Sequence, residues 1–188
     1  MFKILTFSLL CIISLNANSI EKEAWSEASI SYKKAQKGGE DDVLVSIDIF
    51  KKLNDSALKN AHIGSLTTML ARYTYLPWKK LSYVKDGSKL LDTAIRVKPD
   101  NLNIRFVRFY TYMSIPDFLG KEPFIQEDAR YFIKMYKSKK LPQNINNQVL
   151  EAIVLFFHKY EDTKKRDLYL SYISDKNIKD KVSKKIAE

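Results

Sequence analysis

Cysteine is almost missing from this 188-residue chain: the single one, Cys11, lies in an apolar run near the N-terminus. A segment beyond that run has no thiol, which excludes a disulfide framework, a thiolate nucleophile and a cysteine-held metal. Glycine and proline are equally sparse, five of each. The glycines are scattered apart from Gly38-Gly39, so neither a glycine-rich phosphate loop nor a Gly-x-Ser-x-Gly elbow exists. Only two histidines occur, His62 and His158, far apart and neither with a second histidine four residues on, which excludes a helix-borne pair of zinc-holding histidines. No catalytic, metal-binding or cofactor-binding residue is therefore assigned. Long apolar runs are also absent: the longest, Ile4 to Leu15, spans roughly twelve residues against the ~20 that a membrane-crossing helix needs.

That run does carry an address. Lys3 precedes it, Thr6, Ser8 and Ser14 interrupt it, and Asn16-Ala17-Asn18-Ser19 follows with small and polar side chains. Charge, greasy centre and small-residue exit predict a signal peptide over residues 1–19, cut after Ala17 or Ser19, and a periplasmic or secreted product without a transmembrane segment. Leu10 is bulky and the apolar run continues past Cys11, which argues against lipidation there. The remaining 20–188 has no linker-like stretch, and a 45% hydrophobic composition suits one folded domain with a real core. Its lysine-rich end is expected to fray from about residue 175.

The net charge is +10, and losing Lys3 with the leader leaves +9. Outside the cytoplasm the available polyanions are lipid headgroups, cell-wall polymers and acidic proteins. Nucleic acid is not an expected partner, because the address is wrong and no known binding module is present. Lysine supplies most of the positive charge, which favours general attraction over bidentate recognition.

Along the chain, apolar residues recur at three-and-four spacing. Ala24, Trp25, Ala28, Tyr32 and Ala35 make one stripe, closed by Gly38-Gly39, which is expected to stop the helix in a left-handed conformation. Glu40-Asp41-Asp42 then opens a second helix bearing Val43, Ile47, Phe50 and Leu53. A third begins near Ala57 and a fourth runs from Trp78 to Val97, with Pro77 between them. Further helices are predicted from Leu102 to Met113 and from Phe124 to Tyr136, through Val149–Phe157 as the most buried segment, and from Lys164 to about Ser174. Helices paired by short breaks, with no sustained alternation, predict an all-α fold of irregular stacked helical hairpins.

The stretch Gly87, Leu91, Ala94 and Pro99-Asp100-Asn101 resembles the second half of a tetratricopeptide repeat, with Gly64 at a position like that family's small packing residue. Trp25, Tyr32, Ala35 and the Ile49-Phe50 to Asn54-Asp55 stretch are a looser match to an earlier repeat. Gly64 and Gly87 stand about eleven residues too far apart for a standard unit. The stretch from Trp78 through Gly120, with Pro116-Asp117-Phe118-Leu119-Gly120, is also similar to uncharacterised exported bacterial proteins, a likeness that carries no activity. The repeat resemblance implies stacked hairpins that bind a protein or peptide in a groove.

Two constellations are candidates for such binding. Arg105 and Arg108 lie one turn apart with Tyr112 beside them, a planar pair of forks suited to an acidic peptide, or to tying this helix to Asp92, Asp117 or Asp128. Trp78, Lys79, Lys80 and Tyr83 mix rings and cations around Pro77, a combination suited to sugars or membrane headgroups as well as to a core with solvated lysines. The paired acids Glu40-Asp41-Asp42, Glu127-Asp128 and Glu161-Asp162 are the residues that acid and base roles would need, but adjacent residues on a helix point in different directions, and two of these groups sit near helix starts, where capping accounts for them. The expectation is a noncatalytic periplasmic or cell-envelope protein that binds a protein or peptide partner, with an anionic envelope component as a further partner. The alternatives are an envelope enzyme acting on cell-wall material and a peripheral membrane protein.

Overall fold

Every apolar stripe read from the sequence becomes a helix in the computed structural model, which describes the backbone of residues 4–187 and the side chains of 19–143 and 145–187. Nine α-helices follow one another among the described residues, with no strand: α1 Ile4–Ala35, α2 Glu40–Lys51, α3 Ala57–Met69, α4 Pro77–Val97, α5 Leu102–Met113, α6 Glu122–Lys137, α7 Gln143–Lys159, α8 Thr163–Ser171 and α9 Lys176–Ala187. Short 3-10 turns, Leu70–Arg72 and Asp117–Leu119, follow α3 and α5. None of the described helices is long and apolar enough to cross a membrane. Of the expected leader, Met1, Phe2 and Lys3 lie outside the described residues, and Ile4 onward is the beginning of α1.

The chain divides into two compact units, Met1–Val107 and Arg108–Glu188, with the boundary inside α5. In the first unit, Ala28 and Ala35 of α1 bury against Val43, Ile47 and Phe50 of α2 and Leu66 of α3. Each large side chain so buried contributes about 1.5–3 kcal/mol. Gly38-Gly39 turns the chain without left-handed backbone: Gly39 has φ −93°, and Gly120 is the glycine with positive φ among the described residues. Gly38 is small for another reason. A Cβ there would stand 2.0 Å from Asp42 Oδ2, the carboxylate that accepts the Gly39 N–H at 3.2 Å and caps α2.

A second pair of glycines joins α3 to α4. A Cβ on Gly87 would lie 2.4 Å from the Gly64 carbonyl oxygen, and one on Gly64 2.7 Å from the Gly87 carbonyl oxygen. The helices therefore meet backbone to backbone at this point, with Leu91, Ala94 and Ile95 buried farther along α4.

His62 of α3 sits in an aromatic box. Its ring stacks on Phe50 at 4.8 Å and meets Tyr32 and Trp25 edge-on at 5.0 and 6.1 Å. Nδ1 lies 2.9 Å from the Leu58 carbonyl oxygen, which only accepts, so Nδ1 carries the proton of the neutral ring. Burial lowers the His62 pKa, opposed by that hydrogen bond. The unfolded chain therefore takes up a proton below pH ~6.5 while the folded ring resists it, so stability is complete above that pH and falls as pH drops beneath it. The melting temperature of the first unit, followed by tryptophan fluorescence, is expected to fall between pH 7 and pH 5, and His62→Phe to flatten that slope. An equal slope in both proteins would place the titration elsewhere.

The second unit is built around α7, whose Val149, Leu150, Ala152, Ile153 and Val154 are all buried. Phe132 of α6 packs edge-on against Phe109, and Tyr169 of α8 stacks on Phe157 at 5.6 Å. The end expected to fray is instead α9. Val182 is fully buried in the face toward α7, and Lys181 and Lys185 both reach the Glu151 carboxylate, at 3.1 and 3.3 Å. Ile178, Val182 and Ile186 recur every four residues among the lysines, a helical stripe short enough to be overlooked in sequence; it holds here because α7 supplies both a greasy seat and a carboxylate.

Candidate functional site

Arginine 105 and arginine 108, the pair with the sharpest sequence signal, both turn inward. Arg108 is 2% exposed and forms a two-pronged pair with the fully buried Asp128: Nε donates to Oδ2 and Nη2 to Oδ1, each at 2.8 Å. Nη2 also donates to Glu127 Oε2 at 2.9 Å. Burial by itself disfavours the guanidinium charge; Asp128 and Glu127 outweigh it and raise the Arg108 pKa above the ordinary arginine value. Arg105 is buried too, and its Nε donates to the Pro99 carbonyl at 2.7 Å, clasping the turn between α4 and α5. Tyr112 is fully buried, with the Lys121 ammonium 4.9 Å from its ring centroid and Phe124 edge-on. Of the two roles weighed for Arg108, the geometry displays the intramolecular one, on Asp128.

The paired acids are likewise engaged. Asp42 bonds the Gly39 N–H and pairs with Lys34 at 2.8 Å, and its pKa is lowered by those partners. Asp162 accepts the Lys165 N–H at 3.1 Å, capping α8, and Glu127-Asp128 holds Arg108. No group of three metal-competent side chains occurs among the described residues.

The Pro77 constellation behaves differently. Pro77 starts α4, where its missing N–H costs nothing. The eight residues from Tyr75 to Ser82 are all exposed, including Tyr75 at 97% and Trp78 at 66%, with Leu76 and Leu81 outside the core beside them. Trp78 and Leu81 share a helix face, three residues apart. Lys79 and Lys80 are exposed next to them, while Tyr83 points back and packs against the core of the first unit. Lone exposed apolar residues are ordinary, but four within seven positions form a patch. Sequence reasoning found the rings and the lysines and missed a clear signal around them: residues 56–85 contain no Asp or Glu, yet include Lys59, Arg72, Lys79, Lys80 and Lys85.

A concavity of about 460 Å³ opens at the other end of the α3–α4 hairpin. Asp55, Ser56 and Asn60 stand on one side, Thr93, Val97 and Lys98 on the other, with Leu90 and Ala94 in its lining. Helices pinned together at Gly64 and Gly87 diverge away from that crossing, which leaves room between Ala57 and Val97. Nothing in the residue types at these positions pointed to a groove, because its existence depends on the crossing.

No family model matches this chain, and neither a curated protein nor a solved structure matches it.

Proposed function

We propose that this chain is a noncatalytic binding protein of the periplasm or cell envelope that takes a protein or peptide partner in the groove between the start of α3 and the end of α4. The observation supporting this reading is the groove itself: an apolar lining of Leu90, Ala94 and Val97, flanked by the Asn60 amide and the Ser56 and Thr93 hydroxyls, with Asp55 and Lys98 at its edge. Those groups suit an extended peptide, whose side chains need an apolar seat and whose backbone needs donors and acceptors at the rim. A tetratricopeptide-like arrangement of the hairpins belongs to the same proposal, supported by the small residues Gly64, Gly87 and Ala94 at the α3–α4 contact. Arg105 and Arg108 drop out of the proposed binding surface, since both are buried and engaged.

The test is co-purification from envelope extract with a groove-filling variant, Thr93→Arg combined with Val97→Arg. Both positions are solvent-facing, so the melting temperature is expected to stay within a few degrees, while partner recovery falls about tenfold or more, as for loss of a central contact. A partner retained in full by that variant would remove the groove from the binding surface.

A further inference from the structure

The exposed patch at the start of α4 is chemically unlike the groove and lies at the far end of the same helix, about 30 Å away for 21 residues. We infer that Tyr75, Leu76, Trp78 and Leu81, with Lys79 and Lys80, form a docking surface that enters the headgroup layer of an anionic phospholipid bilayer.

Three features select this occupant. First, the apolar members are of the kinds that sit at a lipid–water boundary: one Trp and one Tyr, each an apolar ring with a polar tip, beside two leucines that reach deeper. Second, the charge next to them along the chain has one sign. No carboxylate occurs from residue 56 to residue 85, and the first one along α4, Asp86, is nine residues past Pro77, roughly 13 Å up the helix, where Ser82 Oγ donates to it at 3.1 Å. Lys79, Lys80 and Lys85 have no ion-pair partner among the described residues, so their charge is directed to solvent. Third, the patch is continuous and lies at the N-terminal end of α4. It spans the turn before α4 and the first residues of that helix, exposed at every position from Tyr75 to Ser82, an arrangement suited to a fluid surface. An acidic protein would satisfy the lysines but would leave a fully exposed Tyr75 and a two-thirds exposed Trp78 without a specific seat.

The rest of the chain offers a built-in reporter. Of the two tryptophans, Trp25 packs against Phe50 and His62 in the core, so Trp25→Phe leaves Trp78 as the single indole while keeping an aromatic ring in the box. The full chain carrying that substitution, with its N-terminus read by mass spectrometry, is mixed with vesicles of phosphatidylglycerol and phosphatidylcholine in equal parts, and with phosphatidylcholine alone. Trp78 emission is expected to shift to the blue and to be quenched by lipids brominated high on the acyl chain, with anionic vesicles only. Raising salt from about 0.1 M to about 1 M, which shortens the screening length from ~10 to ~3 Å, is expected to weaken the effect. Lys79→Gln with Lys80→Gln should reduce partitioning about twenty-five-fold, since each lysine near an anionic surface counts for about fivefold.

Vesicle binding without quenching of Trp78 would assign the contact to another part of the chain, the apolar N-terminal run included, and overturn the inference. So would equal quenching by neutral and anionic vesicles, or a Trp78 shift produced by poly-glutamate and not by lipid. Because the groove variant leaves this patch untouched, failure of one proposal leaves the other standing.

Discussion

Alanine in place of Asp128 is expected to cost the second unit about 3–5 kcal/mol, the penalty for leaving a buried charge without its partner. Arg108 is 2% exposed and Asp128 is fully buried, and the two make parallel hydrogen bonds of 2.8 Å, so water cannot replace a missing carboxylate. Glu127 remains within 2.9 Å of Nη2, but its side chain is 44% exposed, so it compensates in part. The companion variant makes the measurement decisive. Replacing both partners with apolar residues of similar size, Arg108→Met with Asp128→Leu, is expected to be close to neutral, because desolvating two charges offsets most of what their attraction returns. Both tryptophans lie in the first unit, so the readout is urea-dependent hydrogen exchange of the α6 and α7 amides. A single Asp128→Ala cost under about 1 kcal/mol would mean that water reaches Arg108 and that the pair is not a structural tie.

Valine at position 87 is expected to be the most damaging single change in the first unit, at about 3 kcal/mol or more, the upper end of the cost of forcing volume into a packed contact. Glycine in a helix interior ordinarily costs about 1 kcal/mol relative to alanine, so a helix that keeps one needs its small size. Here the added Cβ would meet the Gly64 carbonyl oxygen at 2.4 Å and the Thr68 backbone nitrogen at 2.9 Å, and neither can swing away as a side chain would. The helices must separate, which opens the packing of Leu90 and Leu91 against Gly64 and spoils the groove at its end. Thermal unfolding followed by Trp25 fluorescence should show a midpoint lower by ten degrees or more, on the rule that 1 kcal/mol corresponds to about 4–8 °C in a unit of this size. Gly39→Ala is the control: nothing lies within 4 Å of its added Cβ and its φ is −93°, so little change is expected. Equal midpoints for the two variants would show that α3 and α4 do not touch through their backbones.

Most of the secondary structure was legible because it depends on local spacing. The stripe Val43, Ile47, Phe50 needs only a helix to gather on one face, and Asp162, Ser56 and Asn101 cap helices through atoms three residues away. The site was less legible, because each candidate side chain has one identity and two directions to point. Arg108 reads identically whether it faces a ligand or Asp128, twenty residues on, and Trp78 and Tyr83 read alike although one projects into solvent and the other packs on the core. Gly38 was expected to supply a left-handed turn; it supplies space for a carboxylate instead, a difference visible only once Asp42 has a position.

From the order of residues alone come the all-α character and the boundaries of α2 to α6 to within a few residues, set by apolar periodicity, proline placement and caps within a turn or two. Tertiary structure alone decided that the chain forms two units, that α9 docks on Glu151, that Arg108 is spent inside the protein, and that two glycines nearly two dozen positions apart touch. The division follows from range: hydrogen bonds and caps within a helix join near neighbours, whereas burial, ion pairing and helix crossing join residues whose proximity exists only after the chain has folded.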